Sequence, residues 1–69
     1  MAKVFKKIDE VSEMTGLSIS GIYATCEILG AKLQKKKDGD YVDLIEIRFF
    51  IEIEGIESLE KLAKEIVEN

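Results

Sequence analysis

Gly16 is the residue that most constrains how this chain can fold. From Ile8 to Leu29 the sequence reads IDEVSEMTGLSISGIYATCEIL, with apolar residues at helical spacing before Thr15 and again after Ser18. Gly16 stands where a first helix must stop in a left-handed backbone conformation, which costs a residue without Cβ little. Ser18 follows as a natural N-cap for a second helix. The pattern predicts one helix over 8–15 and another over 19–29, the second stopped by Gly30. Asp9 and Glu10 suit the positive end of the first helix dipole, and Ser12 is small enough for close approach of its neighbour. Ile8, Val11, Met14, Leu17, Ile22, Cys26 and Leu29 form the expected inner face; in the second helix Ile22, Cys26 and Leu29 recur at i, i+4 and i+7. Ser20, Tyr23, Ala24 and Glu27 are left on the other faces. Helix, glycine turn, helix is the helix-turn-helix signature, and when such a unit binds DNA its second helix lies in the major groove.

The segment from Ala31 to Val42 reads as a β-hairpin around Asp38-Gly39, a two-residue pair suited to a type I′ turn. Leu33 on one strand and Tyr41 or Val42 on the other would pin it to the core, with Lys35, Lys36 and Lys37 projecting just before the turn. After a helix-turn-helix such a hairpin is a wing that touches phosphates; three lysines in a solvated turn read equally well as plain surface. Residues 1–7 read as a solvated lead-in, the alternative being a brief strand or arm at Val4 and Phe5, with Lys3, Lys6 and Lys7 in reach of a phosphate. Residues 43–54 carry two signals. Ile45 to Phe49 alternates like a strand, whereas Asp43 with Glu46 makes an N-cap pattern and Leu44, Ile47, Phe50 and Ile51 mark helical turns; helix is the reading adopted, closed by Gly55. A last amphipathic helix, capped by Ser58, carries the stripe Leu59, Leu62, Ala63, Ile66 and Val67. That stripe either closes the core or forms half of a homodimer interface. The expected architecture is therefore mainly α with a small β-hairpin: a winged helix-turn-helix of four helices plus a two-stranded wing, one domain over residues 1–69.

Composition removes several function classes. One cysteine and no histidine in 69 residues exclude the Cys/His sets of zinc fingers and an internal disulfide. Cys26 reads as a small core hydrophobe, since no flanking base lowers its pKa. No nucleophile motif or phosphate-cradling glycine loop suggests an enzyme, and no cofactor is expected. Glu46, Arg48, Glu52 and Glu54 interrupt the longest apolar stretch, and no apolar segment of signal-peptide type follows the N-terminal lysines, so the expected location is cytoplasmic. The net charge is −4, divided between +1 over residues 1–42 (seven lysines, six acids) and −5 over residues 43–69 (three bases, eight acids). The acid thus sits in the C-terminal part, and a monomer should hold DNA weakly.

The order of elements and the motif residues Ile8-Asp9-Glu10-Val11, Met14-Thr15-Gly16-Leu17-Ser18 and Ile22 resemble the DNA-binding domain of MerR-like regulators and the related phage and transposon excisionases. Lys37-Asp38-Gly39 with Tyr41, and Gly55 leading into a further helix, are similar to the same family. The resemblance implies a small DNA-binding protein, a transcriptional regulator or an accessory factor in recombination or plasmid maintenance. The family often has proline and arginine after the turn serine, then a further arginine and an aromatic pair; here Ile19, Ser20, Tyr23, Ala24 and Thr25 stand instead. Arginine readout of guanine is not available from this helix. The candidate DNA-binding set is Ser18, Ser20, Tyr23, Ala24 and Thr25 from the second helix with Lys32, Lys35, Lys36 and Lys37 from the wing. The competing expectation, motivated by the acidic C-terminal part, is a module that binds a protein partner on the same scaffold.

Overall fold

The computed structural model describes residues 2–68, with side chains up to residue 66. The element order is β1 (Phe5–Lys7), α1 (Ile8–Thr15), α2 (Ile19–Leu29), β2 (Leu33–Lys36), β3 (Gly39–Asp43), α3 (Leu44–Glu54) and α4 (Ile56–Glu68). The four expected helices are present, including α3. The sheet differs from the expectation: it has three antiparallel strands in the order β1-β3-β2 rather than two. The lead-in supplies the extra strand, Phe5 pairing with Asp43, Lys6 with Val42 and Lys7 with Tyr41. It is held because β3 would otherwise present an unpaired edge, and pairing satisfies backbone groups on both sides.

Local chemistry explains the helix ends. Gly16, at φ 82°, ends α1 and donates its N–H to the Ser12 carbonyl at 3.0 Å. Thr15 Oγ1 accepts from Leu17 N at 3.3 Å, which tightens the turn. Ser18 begins α2 as expected, its Oγ accepting from Gly21 N at 3.0 Å. Asp43 caps α3: Oδ1 accepts from Ile45 N at 3.0 Å and from Val4 N at 3.1 Å, while Leu44 N donates to the Val4 carbonyl at 2.8 Å. One carboxylate therefore joins the N-terminal arm, the end of β3 and the start of α3. Asp43→Ala should cost about 1–2 kcal/mol, and Asp43→Asn, which keeps the acceptor, well under half of that; urea unfolding of the three proteins measures both. Gly55 passes the chain straight into α4, which starts at Ile56, so Ser58 lies inside the helix and does not cap it.

The hairpin turn also differs. Lys36 pairs with Gly39, so the central residues are Lys37 and Asp38, not Asp38 and Gly39. Neither has positive φ, which excludes type I′; Gly39, at φ 138°, is instead the residue after the turn, where glycine is favoured.

The core lies between the inner faces of the helices and the sheet. Val11, Leu17, Ile22, Val42, Ile47 and Leu59 are fully enclosed, with Ile8, Cys26, Ala31 and Leu44 around them. Met14, expected inside, is 49% exposed, because the described residues leave that side of the last turn of α1 uncovered. Leu59 and Ala63 of α4 are buried and α4 packs along α2, so the first part of this stripe closes the core, whereas Leu62 is half-buried, Ile66 is exposed and Val67 lies outside the described side chains. Among the described residues no helix is long and apolar enough to cross a membrane.

Candidate nucleic-acid interface

The outer face of α2 is defined by what α4 leaves uncovered. Ile19, Ser20, Tyr23, Glu27 and Ile28 are exposed, whereas Ala24 is 4% exposed and Thr25 is fully buried. Thr25 Oγ1 donates to the Gly21 carbonyl at 2.7 Å within its own helix. Ala24 and Thr25 are therefore removed from the candidate set: α2 is covered on two sides, and a side chain facing the interior cannot meet a base edge. Ser18 is half-buried and doubly engaged. Besides accepting from Gly21, its hydroxyl donates to Glu60 Oε1 at 2.6 Å, so an α4 carboxylate occupies the positive end of α2. Of the five α2 candidates, Ser20 and Tyr23 remain as exposed polar positions.

Tyr23 connects α2 to the hairpin. Its hydroxyl donates to Asp40 Oδ2 at 2.6 Å, and this bond, more than desolvation, holds the phenol pKa above its ordinary value. Asp40 pairs with Lys35 across the strands and shares the sheet face of Val42, which is the face turned to the core. Lys35 thus lies on the side of the sheet that continues toward Tyr23. Lys36 belongs to the opposite face, its Nζ 4.3 Å from the Tyr41 ring centroid. Tyr41 in turn donates to Asp38 Oδ2 at 2.8 Å, and that hydrogen bond keeps the Asp38 carboxyl below the usual range, aided by Lys7 and Lys36. Lys37 occupies the turn itself. Lys32 lies before β2, exposed, its backbone N–H donating to Glu46 Oε1 at 3.3 Å.

Three contributors lie outside the candidate DNA-binding set; one of them, Lys7, is among the three N-terminal lysines read as in reach of a phosphate. Lys7 of β1 lies against Gly39, where an added Cβ would stand 3.0 Å from Lys7 Cε, so a fourth lysine joins the hairpin tip. Asp40 and Glu60 are the acids that anchor Tyr23 and Ser18. All three take their places through pairings between distant segments, and for Asp40 and Glu60 the chain holds no local signal. The tip then gathers Lys7, Lys35, Lys36 and Lys37 against Asp38 and Asp40, a surplus of two positive charges (four minus two) on the strands, which Asp9 and Glu10 of α1, near Tyr41, offset.

Cys26 stands apart from this surface. It is buried, and desolvation, followed by the nearby Glu46 carboxylate, pushes the thiol pKa from 9.0 to about 11. That rise alone lowers the thiolate fraction about 100-fold near pH 8. Labelling by a disulfide reagent at pH 8 should accordingly run at least about 100-fold slower in the native protein than in denaturant.

Comparison with protein-family models, with curated proteins and with solved structures finds no match to this chain.

Proposed function

We propose that this chain is a small duplex-DNA-binding protein of winged helix-turn-helix type, like the MerR-like and excisionase-like domains its motif resembles. The observation that carries the reading is the 2.6 Å contact between Tyr23 and Asp40, which brings the exposed face of α2 beside the hairpin face that carries Lys35, with Lys36 and Lys7 on the other face of the same tip. A duplex approached on that side meets α2 in its major groove and the hairpin as a wing on the flanking backbone. Ser20 and Tyr23 are the side chains offered to base edges, with Ile19 beside them for apolar contact with a thymine methyl. Lys35, Lys36, Lys37 and Lys7 neutralise phosphates, and Lys32 extends the positive edge. Regulation of transcription, or an accessory role in recombination or plasmid maintenance, is the use such a protein would have.

The charge balance sets the expected affinity. With no arginine on α2 and a modest positive surplus at the tip, phosphate contacts are few, so affinity is low and its salt dependence is set by that small number of contacts. Fluorescence anisotropy of a labelled mixed-sequence duplex, read at about 50 mM and about 200 mM salt, tests this. With about four phosphates neutralised, log affinity should fall with log salt at a slope near −3.6, roughly 100-fold over that range. Absence of binding at high micromolar protein in the lower salt would refute it. The exposed Phe49 and Ile53 of α3 favour a second activity, contact with another polypeptide, on a different surface.

A further inference from the structure

The outer face of α3 is left exposed by the described residues of the chain. Leu44 and Ile47 face the core, while Ile45, Phe49 and Ile53, at i, i+4 and i+8, are 39%, 57% and 60% exposed. Side chains of this size on one helical stripe form a contiguous apolar surface, the kind that marks a contact site. Beside it lies an open groove of about 550 Å³ lined by Lys3, Ile45, Arg48, Phe49 and Glu52 among others. On α4 Leu59 and Ala63 are buried and Ile66 is 37% exposed, so among the described residues the outer face of α3 exposes more of its apolar side chains than the stripe of α4 does.

We propose that this face joins two copies of the chain, their α3 helices packed antiparallel about a twofold axis. The charges choose both the occupant and the direction. Arg48 and Glu52 stand at i and i+4, along one edge of the stripe. A twofold axis perpendicular to an antiparallel pair brings this edge against itself in the reverse direction. Centred at Phe50, it sets Arg48 against the partner's Glu52 and Glu52 against the partner's Arg48. A parallel pair, with its twofold axis along the helices, would carry this edge to opposite sides of the interface and bring Arg48 and Glu52 to neither of their counterparts. The same centre places each Phe49 between the partner's Phe49 and the partner's Ile53, so the bulky residues interleave instead of colliding. One patch thereby supplies both signs of charge, a protruding ring and an adjacent groove, which is what a self-complementary contact requires. The acidic surplus of residues 43–69 opposes association, so the dimer is a weak one. It is independent of DNA binding.

Sedimentation equilibrium of the full chain, from about 10 to about 500 μM, tests the proposal. The mass should rise toward twice the 7.8 kDa of the chain. Phe49→Ser, at an exposed position, should stay at 7.8 kDa with an unchanged helical circular dichroism spectrum. R48E and E52R alone should each weaken association at least about tenfold, and the double exchange R48E/E52R should return it to within about threefold of the original. A mass of 7.8 kDa at every concentration would overturn the proposal, as would a dimer indifferent to Phe49→Ser, or a double exchange no better than the single ones.

Discussion

Changing Lys35, Lys36 and Lys37 together to Glu should abolish DNA binding and leave the fold intact. The substitution moves the net charge from −4 to −10, two units for each of three positions. It removes three of the cations assigned to phosphate and sets carboxylates in their place. Each phosphate left without its lysine takes about one unit from the salt slope, so most of the slope goes with them, and affinity at about 50 mM salt should fall at least about 100-fold. The structural cost is small. All three side chains are exposed, and Lys36 gives up its contact with the Tyr41 ring, worth about 0.5–1 kcal/mol at such a site, and its electrostatic interaction with the exposed Asp38. An unchanged circular dichroism spectrum with abolished binding is the expected pair of results. Unchanged binding would remove the hairpin from the interface.

Gly21→Ala should destabilise the protein, against the ordinary direction for a helical glycine. In a solvated helix that change stabilises by about 0.5–1 kcal/mol, because glycine has more backbone freedom to lose. Here α4 crosses α2 at Gly21. An added Cβ would stand 2.8 Å from Leu17 Cδ1 and 3.0 Å from Leu17 Cγ, and would collide with the Glu60 carboxylate. Leu17 is fully buried and Glu60 is held by Ser18, so neither side chain is free to retreat. Overpacking of this kind costs about 1–3 kcal/mol, which exceeds the propensity gain. In a domain of this size that corresponds to a fall in Tm of several degrees. Ser20→Ala, one residue earlier on the exposed face, should change stability by under about 0.5 kcal/mol and serves as the comparison. A stabilised Gly21→Ala would mean that α4 does not approach α2 this closely.

Residues that act on their own neighbours are legible in the sequence itself. Gly16, Ser18 and Gly30 bound α1 and α2 where their chemistry predicts, and the Asp43 cap decides for helix in a segment that also alternates like a strand. What escapes a sequence reading depends on contacts across the chain. A three-residue strand has no period to detect, so at Phe5–Lys7 the sequence supports a brief strand only as the alternative to a solvated lead-in, and pairing with β3 decides for the strand. The same pairing brings Lys7 to the hairpin tip. Ala24 and Thr25 lie off the face marked by Ile22 and Cys26, so a one-faced helix leaves them outside; they are buried because α2 is covered on more than one side. The Asp38-Gly39 pair marks a turn but not its type, since the register, set by Leu33 against Val42, moves Gly39 to the start of β3. Ser18 has the residue type of both a cap and a DNA contact; its bond to Glu60 is a further role that only the α2–α4 packing creates.

The most direct test of the central claim is a backbone amide NMR titration of the full chain with a short duplex at low salt. The account predicts that resonances of Ser20, Tyr23, Lys35, Lys36 and Lys37 shift together, with one dissociation constant, while those of Phe49 and Ile53 on α3 do not follow that isotherm. Shifts confined to α3 and α4, or none on α2 and the hairpin at saturating duplex, would contradict it.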